Sequence, residues 1–85
     1  MADIVIYTTE FCPFCVRARH LLDKKGVSYT DIAVDKQPEK RLEMEQRAGR
    51  TSVPQIFIDN FHVGGFDDMV ELDMDGELDS RLGLV

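Results

Sequence analysis

The stretch IVIYTTEFCPFC, residues 4–15, decides the fold of this chain. Its first part, Ile4–Tyr7, is short, continuously apolar and rich in β-branched residues, which is typical of a central strand covered on both faces. From Pro13 onward the pattern predicts an amphipathic helix that ends at Gly26, with apolar positions at helical spacing: Cys15, Ala18, Leu21 and Leu22. A pair of cysteines therefore stands where a buried strand meets the first turn of a helix.

The next segments predict a second strand and a second helix. Residues 27–34 read as a strand. Pro38 suits the first turn of a helix that ends at Gly49, and we expect Leu42 and Ala48 to face inward from it.

The last third of the chain predicts a hairpin and a third helix. Residues 55–64 form the hairpin, turning at Asp59–Asn60, because Asn tolerates the positive φ that such a turn needs. Asp67 or Asp68 is then expected to cap a helix that breaks at Asp75–Gly76, before a final amphipathic turn.

The element order is thus β-α-β-α-β-β-α. A strand, a crossover helix and a second strand form a right-handed parallel unit, and the hairpin adds two antiparallel strands to the same sheet. The sequence predicts an α/β fold, a four-stranded mixed sheet flanked by helices on both faces. At 85 residues the chain has room for one domain only, residues 1–85.

Composition and charge exclude several classes of protein. The net charge of −6 argues against non-specific binding to nucleic acid or to an anionic membrane surface. The acidity is concentrated late in the chain, since residues 59–85 carry eight acidic residues against Arg81 alone. No apolar run approaches the roughly 18 residues of a membrane span. The first residues also lack the pattern of a signal peptide, and two cysteines cannot build the framework of a small secreted domain. We therefore expect the protein to reside in a reducing cytoplasm.

The motif Cys12–Cys15 has three possible interpretations: part of a structural zinc site, a purely structural disulfide, or a redox-active pair of thiols. A structural zinc needs four protein ligands, and the chain offers no other cysteine and only His20 and His62, which lack metal-ligand spacing. A purely structural disulfide would close a loop of only a few residues and remove little entropy from the unfolded chain. The motif favours redox catalysis.

The positions of the two cysteines predict different roles. Cys12 lies at a helix N-terminus, where unpaired N–H groups and the helix dipole stabilise a thiolate, and Arg17 and Arg19 add diffuse positive potential. Cys15, one turn further into the helix, should be more buried and keep a normal or raised pKa. Cys12 should therefore attack a disulfide, and Cys15 should resolve the mixed disulfide that results.

Three segments, in this order, carry a resemblance to a known family: residues 6–15 with CPFC, residues 49–58 (GRTSVPQIFI) and residues 64–68 (GGFDD). Together they make the sequence similar to the dithiol glutaredoxins of the short bacterial type, along essentially its whole length. The resemblance implies a thioredoxin-like fold, with Val53–Pro54 as a cis peptide facing the cysteines. Monothiol members of the family have serine in place of the second cysteine, so Cys15 argues against that subclass.

The resemblance also implies a site for glutathione, which carries two carboxylates and one ammonium around a cysteine. The main chain of Val53 would pair with the cysteine backbone of glutathione. The N–H groups of Asp67 and Asp68 would hold the γ-glutamyl carboxylate, and one of their side chains would take the ammonium. The expected catalytic residues are Cys12 and Cys15, and the expected glutathione-binding residues are Thr9, Phe14, Arg41, Ser52, Val53, Pro54, Gly65, Phe66, Asp67 and Asp68.

Several of these positions depart from the family pattern. The family commonly has lysine three residues before the first cysteine, where this chain has Thr9, which can bond the glycine carboxylate of glutathione but cannot neutralise it. Arg41, which aligns with a family position at the same end, is expected to carry most of that contact. Phe14 replaces the usual tyrosine and keeps its ring, and Ser52 replaces a frequent threonine.

The resemblance implies an enzyme, a glutathione-dependent thiol–disulfide oxidoreductase that reduces protein disulfides and glutathionylated proteins, with no metal. Two alternatives stay open: an electron donor reduced by thioredoxin reductase, and a dimer holding a [2Fe–2S] cluster through Cys12 thiolates and glutathione thiols. The segment Gly64–Asp68 disfavours the first, and Pro13, which fixes the active-site backbone, disfavours the second. We expect a cytoplasmic monomer with a role in cell redox homeostasis.

Overall fold

The computed structural model describes residues 2–85 and arranges them as four strands and four helices. In chain order these are β1 (Ile4–Thr8), α1 (Pro13–Lys24), β2 (Thr30–Ala33), α2 (Pro38–Ala48), β3 (Gln55–Ile58), β4 (Phe61–Gly64), α3 (Phe66–Met74) and α4 (Glu77–Leu82). The order agrees with the sequence prediction up to α3. The final amphipathic turn is a helix of its own, α4, which the predicted order omits.

The four strands form one mixed sheet in the order β2-β1-β3-β4. β1 runs parallel to β2, with Val5 opposite Thr30, and antiparallel to β3, with Ile6 opposite Ile56. β3 and β4 form the predicted hairpin, and both residues of its turn, Asp59 and Asn60, have positive φ, 50° and 68°. The predicted mixed sheet is confirmed, with β1 in a central position.

Two apolar clusters cover the two faces of the sheet. The larger one joins residues of the sheet to α1, α3 and α4: Ile4, Ile6, Ala18, Leu22, Ile56, Ile58, Val63, Met69, Leu78 and Leu82. The smaller one lies under α2 and consists of Tyr7, Val34, Met44 and Phe57. Because β1 contributes to both clusters, it is buried on both faces, as its unbroken apolar run indicates.

The predicted inward face of α2 is partly wrong. Leu42 is 56% exposed, and the residue that α2 buries is Met44. Successive helical residues are about 100° apart, so Leu42 lies about 200° from Met44 and points to the other side. Ala48, four residues after Met44, shares its face and packs against the smaller cluster.

Two element boundaries also differ from the prediction. The second strand begins at Thr30 rather than Val27, because the Val27 N–H is bound to the Leu22 carbonyl (3.4 Å) in the turn that ends α1. The third helix is capped by Gly65, not by Asp67 or Asp68. Asp68 instead occupies the third helical position, and its carboxylate accepts the Gly65 N–H at 2.8 Å.

Candidate active site

Cys12 is the N-cap of α1 and lies beyond the carboxyl end of β1. Its sulfur accepts the backbone N–H of Cys15 at 3.3 Å, and its carbonyl accepts the N–H of Val16 at 3.0 Å. Pro13 follows at the first helical position, where its missing N–H removes no helical hydrogen bond. An anionic sulfur at this place meets unpaired N–H groups and the positive end of the helix dipole.

Cys15 lies one turn into α1 and is fully buried. Burial and the neighbouring Cys12 sulfur raise the pKa of the Cys15 thiol to about 12, although the backbone N–H of Thr9 and the charge of Arg19 act in the opposite direction. At neutral pH Cys15 is therefore a protonated thiol. Cys12 is half-buried and Cys15 is buried, so Cys15 is the more buried of the two cysteines, as the sequence predicts.

The segment before β3 faces Cys12 from across the site. The Val53–Pro54 peptide bond is cis, as the resemblance implies. The Cys12 thiol donates to the Val53 carbonyl at 3.8 Å. The reactive sulfur is thus bracketed by the first turn of α1 on one side and the main chain of Val53 on the other.

A groove of about 210 Å³ continues from this segment to the start of α3. We call it the Val53–Asp68 groove. It is lined by Phe14, Arg50, Ser52, Val53, Pro54, Gly65, Phe66, Asp67 and Asp68. The rings of Phe14 and Phe66 lie 6.5 Å apart, and Phe14 is 49% exposed. Eight of the ten residues expected to bind glutathione line this one groove.

The charged end of the groove is built around Asp68. Its carboxylate accepts the Gly65 N–H at 2.8 Å and an N–H of the Arg50 guanidinium at 3.0 Å, and these two partners hold the pKa of the carboxyl below its ordinary value. Gly64 has φ of 110°, and a Cβ there would collide with the Asp68 carboxylate. The glycine before Gly65 therefore gives that carboxylate room to reach back to the start of its own helix.

Thr9 and Arg41 lie outside the lining of this groove. Thr9 is half-buried and contacts the Cys15 sulfur through its backbone N–H. The Arg41 guanidinium donates to the Thr51 carbonyl at 2.9 Å and to Glu45 at 3.2 Å. Arg41 thus contacts the chain one residue before Ser52, and its expected contact with a glycine carboxylate stays a prediction.

The two arginines of α1 each contact a specific side chain, whereas the sequence predicts only a diffuse positive potential from them. The Arg17 guanidinium lies 5.4 Å from the centre of the Phe14 ring. Arg19 is paired with Asp31 at 2.6 Å and donates to the buried hydroxyl of Thr8 at 2.9 Å. The charge of Arg19 is therefore largely partnered.

Arg50 is the groove residue that the sequence prediction omits. It comes directly before Thr51 in the segment GRTSVP, and its only sequence signal is that place beside the cis-proline loop. Its ion pair joins the loop before β3 to α3, across 18 residues of sequence. Two segments that are distant in the chain thereby share one charged contact.

Other features of the described residues are less closely tied to the cysteines. A cleft of about 500 Å³ surrounds the β3–β4 turn, at the other end of the sheet, and is lined by Ile58, Asp59, Phe61, Glu77, Ser80 and Arg81. Within residues 2–85, no group of three or more His, Cys, Asp or Glu side chains is placed to hold a metal ion. None of the helices described is long and apolar enough to cross a membrane.

Comparison with protein families identifies residues 4–63 as a match to the glutaredoxin model. Among curated proteins, Glutaredoxin 3 of Escherichia coli K12 is 54% identical over 82 residues, covering 96% of this chain and 99% of that protein. A glutaredoxin of Pseudomonas aeruginosa is 51% identical over 82 residues, covering 96% of this chain and 98% of that protein.

Solved structures show the same likeness. The solution structure of a glutaredoxin from Brucella melitensis has a TM-score of 0.86 and 48% identity, covering 99% of this chain and 91% of that one. A buckwheat glutaredoxin crystallised as a complex with glutathione has a TM-score of 0.89 and 29% identity, covering 96% of this chain and 77% of that one.

Proposed function

The chain belongs to the glutaredoxin family and is a thiol–disulfide oxidoreductase, and we propose that glutathione is its electron donor and part of its substrate. The observation that carries this proposal is the Val53–Asp68 groove, which begins at the main chain facing the Cys12 sulfur and ends at a charged helix start. A structural relative binds glutathione, which supports the same ligand for this groove.

The groups around the groove complement the charges of glutathione. The main chain of Val53, just before β3, would pair with the cysteine backbone of glutathione, a form of strand addition. At the other end, the N–H groups at the start of α3 suit the γ-glutamyl carboxylate, and the ionised Asp68 suits the adjacent ammonium. A bound glutathione in this orientation would direct its sulfur toward Cys12.

The proposed reaction with a glutathionylated protein needs one enzyme thiol. The Cys12 thiolate attacks the sulfur of the glutathionyl group, a new S–S bond forms between Cys12 and glutathione, and the protein leaves as a thiolate. A second glutathione thiolate then attacks the glutathionyl sulfur, which gives glutathione disulfide and returns Cys12 as a thiolate. Each turnover thus consumes one free glutathione, whose sulfur joins the glutathionyl group of the substrate in glutathione disulfide.

The proposed reaction with a protein disulfide uses both cysteines. Cys12 attacks one sulfur of the substrate and forms a mixed disulfide, while the other substrate sulfur leaves as a thiolate. Cys15 then attacks the Cys12 sulfur, forming the Cys12–Cys15 disulfide and releasing the second substrate thiolate. Because Cys15 is protonated at neutral pH, its proton must pass to a departing thiolate or to solvent as it attacks. Glutathione then reduces the enzyme disulfide.

A two-arm turnover assay tests the proposal. The purified protein is given a glutathionylated peptide and NADPH, with either glutathione plus glutathione reductase or thioredoxin reductase alone. We expect NADPH oxidation only in the first arm. Cys12→Ser serves as the matched control and should be inactive in both arms. Turnover in the second arm alone would contradict glutathione as the electron donor.

A further inference from the structure

Three polar side chains connect β4 to the segment that faces Cys12. His62 Nε2 lies 2.7 Å from Gln55 Oε1. Gln55 Nε2 donates to the Ser52 carbonyl at 3.0 Å and lies 3.2 Å from the Ser52 hydroxyl oxygen. Gln55 is fully buried, and a buried amide must be hydrogen-bonded because leaving either end unpaired costs free energy.

The donor and the acceptor of each hydrogen bond can be assigned, because one of the groups, the Ser52 carbonyl, can only accept. A backbone carbonyl can only accept, so the Gln55 group that faces the Ser52 carbonyl is the NH₂ group. Gln55 Oε1 therefore faces His62, and it too can only accept. His62 Nε2 must carry the hydrogen, and the neutral imidazole is held in the Nε2–H tautomer with Nδ1 unprotonated.

The sheet places His62 where it can reach Gln55. Side chains two residues apart on a strand share a face, so Gln55 lies on the same face as Phe57. His62 is opposite Phe57 in the ladder, and their rings stack with centroids 4.8 Å apart. His62 is therefore a diagonal neighbour of Gln55, within reach of a long side chain, with its ring plane fixed by Phe57.

We propose that His62 is a positioning residue for substrate binding, which acts through Gln55 to fix the Ser52–Val53 main chain in the orientation that glutathione pairs with. This proposal rests on the proposed binding of glutathione at Val53. His62 touches no reacting atom; it satisfies Gln55 Oε1, so the Gln55 amide stays turned toward Ser52. Without that donor the amide can rotate, and the Ser52 carbonyl loses its partner.

Two substitutions separate the donor from the ring. His62→Phe keeps a ring that can stack on Phe57 but has no N–H. His62→Gln loses the ring but carries an amide nitrogen the same number of bonds from Cβ as Nε2, so it can restore the donor. The wild-type tautomer is read from long-range ¹H–¹⁵N correlations of the imidazole, and the binding segment from the backbone amide resonances of Ser52 and Val53.

We expect the wild type to show the Nε2–H tautomer at neutral pH. In His62→Phe the amide resonances of Ser52 and Val53 should move. The KM for a glutathionylated peptide should rise by about three- to thirtyfold, below the roughly hundredfold that a 1 Å misplacement can cost. The kcat should change less than the KM, because Cys12 is unaltered. In His62→Gln both the resonances and the KM should return toward wild-type values.

An Nδ1–H tautomer in the wild type would overturn the proposal, as would a folded His62→Phe with unmoved amides and an unchanged KM. If His62→Phe does not fold, the wild-type tautomer and the KM of His62→Gln decide instead. Because His62→Gln keeps a donor, a rise of its KM by the roughly three- to thirtyfold expected for a lost donor would count against the proposal. Failure of the wild type to turn over glutathionylated peptide refutes the proposed function, while the tautomer and the amide shifts still decide whether His62 orients the segment.

Discussion

Substituting Asp68 in two ways separates its role in the helix from its proposed role in binding. Asp68→Asn removes the charge but keeps an oxygen that can accept the Gly65 N–H, now 2.8 Å from the carboxylate. Asp68→Ala removes both the charge and the hydrogen bond. The two variants therefore differ in the helix contact and agree in the loss of the charge that would meet the ammonium of glutathione.

The expected changes in stability and in KM follow from how exposed the ion pair between Asp68 and Arg50 is. The Asp68 and Arg50 side chains are 41% and 49% exposed, so their ion pair should stabilise the fold by only about 0.2–1 kcal/mol. Losing a capping hydrogen bond costs a further roughly 0.5–2 kcal/mol, which falls on Asp68→Ala alone. For binding, each variant loses an attraction of about 1 kcal/mol and leaves Arg50 to repel the ammonium by a similar amount. Together these raise the KM by about five- to thirtyfold.

Steady-state kinetics with a glutathionylated peptide and chemical denaturation test the pair together. We expect Asp68→Asn and Asp68→Ala to raise the KM equally, and Asp68→Ala alone to lose substantial stability. High salt should reduce the difference in KM between each variant and the wild type, because the lost interaction is a screened charge pair. If Asp68→Asn keeps the wild-type KM at low salt while Asp68→Ala does not, Asp68 is only a structural residue and the placement of the ammonium is wrong.

The same residue gives a pH dependence of stability. The folded-state pKa of Asp68 lies below its ordinary value because the Gly65 N–H and Arg50 favour the carboxylate. Ionised Asp68 therefore stabilises the fold at neutral pH, and this contribution is lost as the pH falls through its lowered pKa. The difference in unfolding free energy between the wild type and Asp68→Asn should shrink toward zero in acid. A difference that grows in acid would contradict this account of the site.

Two further predictions test the glycine end of the ligand and the core. Thr9→Lys should lower the KM for a glutathionylated peptide by about two- to tenfold at low salt, and Arg41→Ala should raise it, less so in the Thr9→Lys background; silence of both substitutions would place the carboxylate elsewhere. Met44→Ala should lower the unfolding free energy by about 2–5 kcal/mol in chemical denaturation, because Met44 is buried. Leu42→Ala should change it by about 0.5 kcal/mol or less, because Leu42 is exposed. Equal effects of the two substitutions would contradict the assigned face of α2.

The parts of the fold that the sequence predicts are those with strong local patterns. The apolar run of β1 and the Pro13–Gly26 helix pattern place Cys12 at a helix N-terminus without any tertiary information. The turn at Asp59–Asn60 is likewise predicted by the two residues that form it. These features were predictable because each rests on the residue's own conformational preference or on spacing within one element.

The features that were missed depend on packing or on contacts between distant segments. Leu42 is as apolar as Met44, and only the side on which α2 meets the sheet decides which of them is buried. The Arg50–Asp68 pair joins a loop to a helix, and no spacing rule within one element reports it. The strand start at Thr30 is set by a hydrogen bond that Val27 makes to α1. Each requires the folded arrangement.

Trapping glutathione on the enzyme tests the central claim most directly. Cys15→Ser is incubated with glutathione disulfide, and intact and proteolysed protein are analysed by mass spectrometry before and after adding reduced glutathione. We expect one glutathionyl group on Cys12, removed by reduced glutathione, together with continued deglutathionylation of a peptide by this variant. Absence of an adduct on Cys12, or an adduct that reduced glutathione cannot release, would contradict a glutathione-dependent cycle at this site.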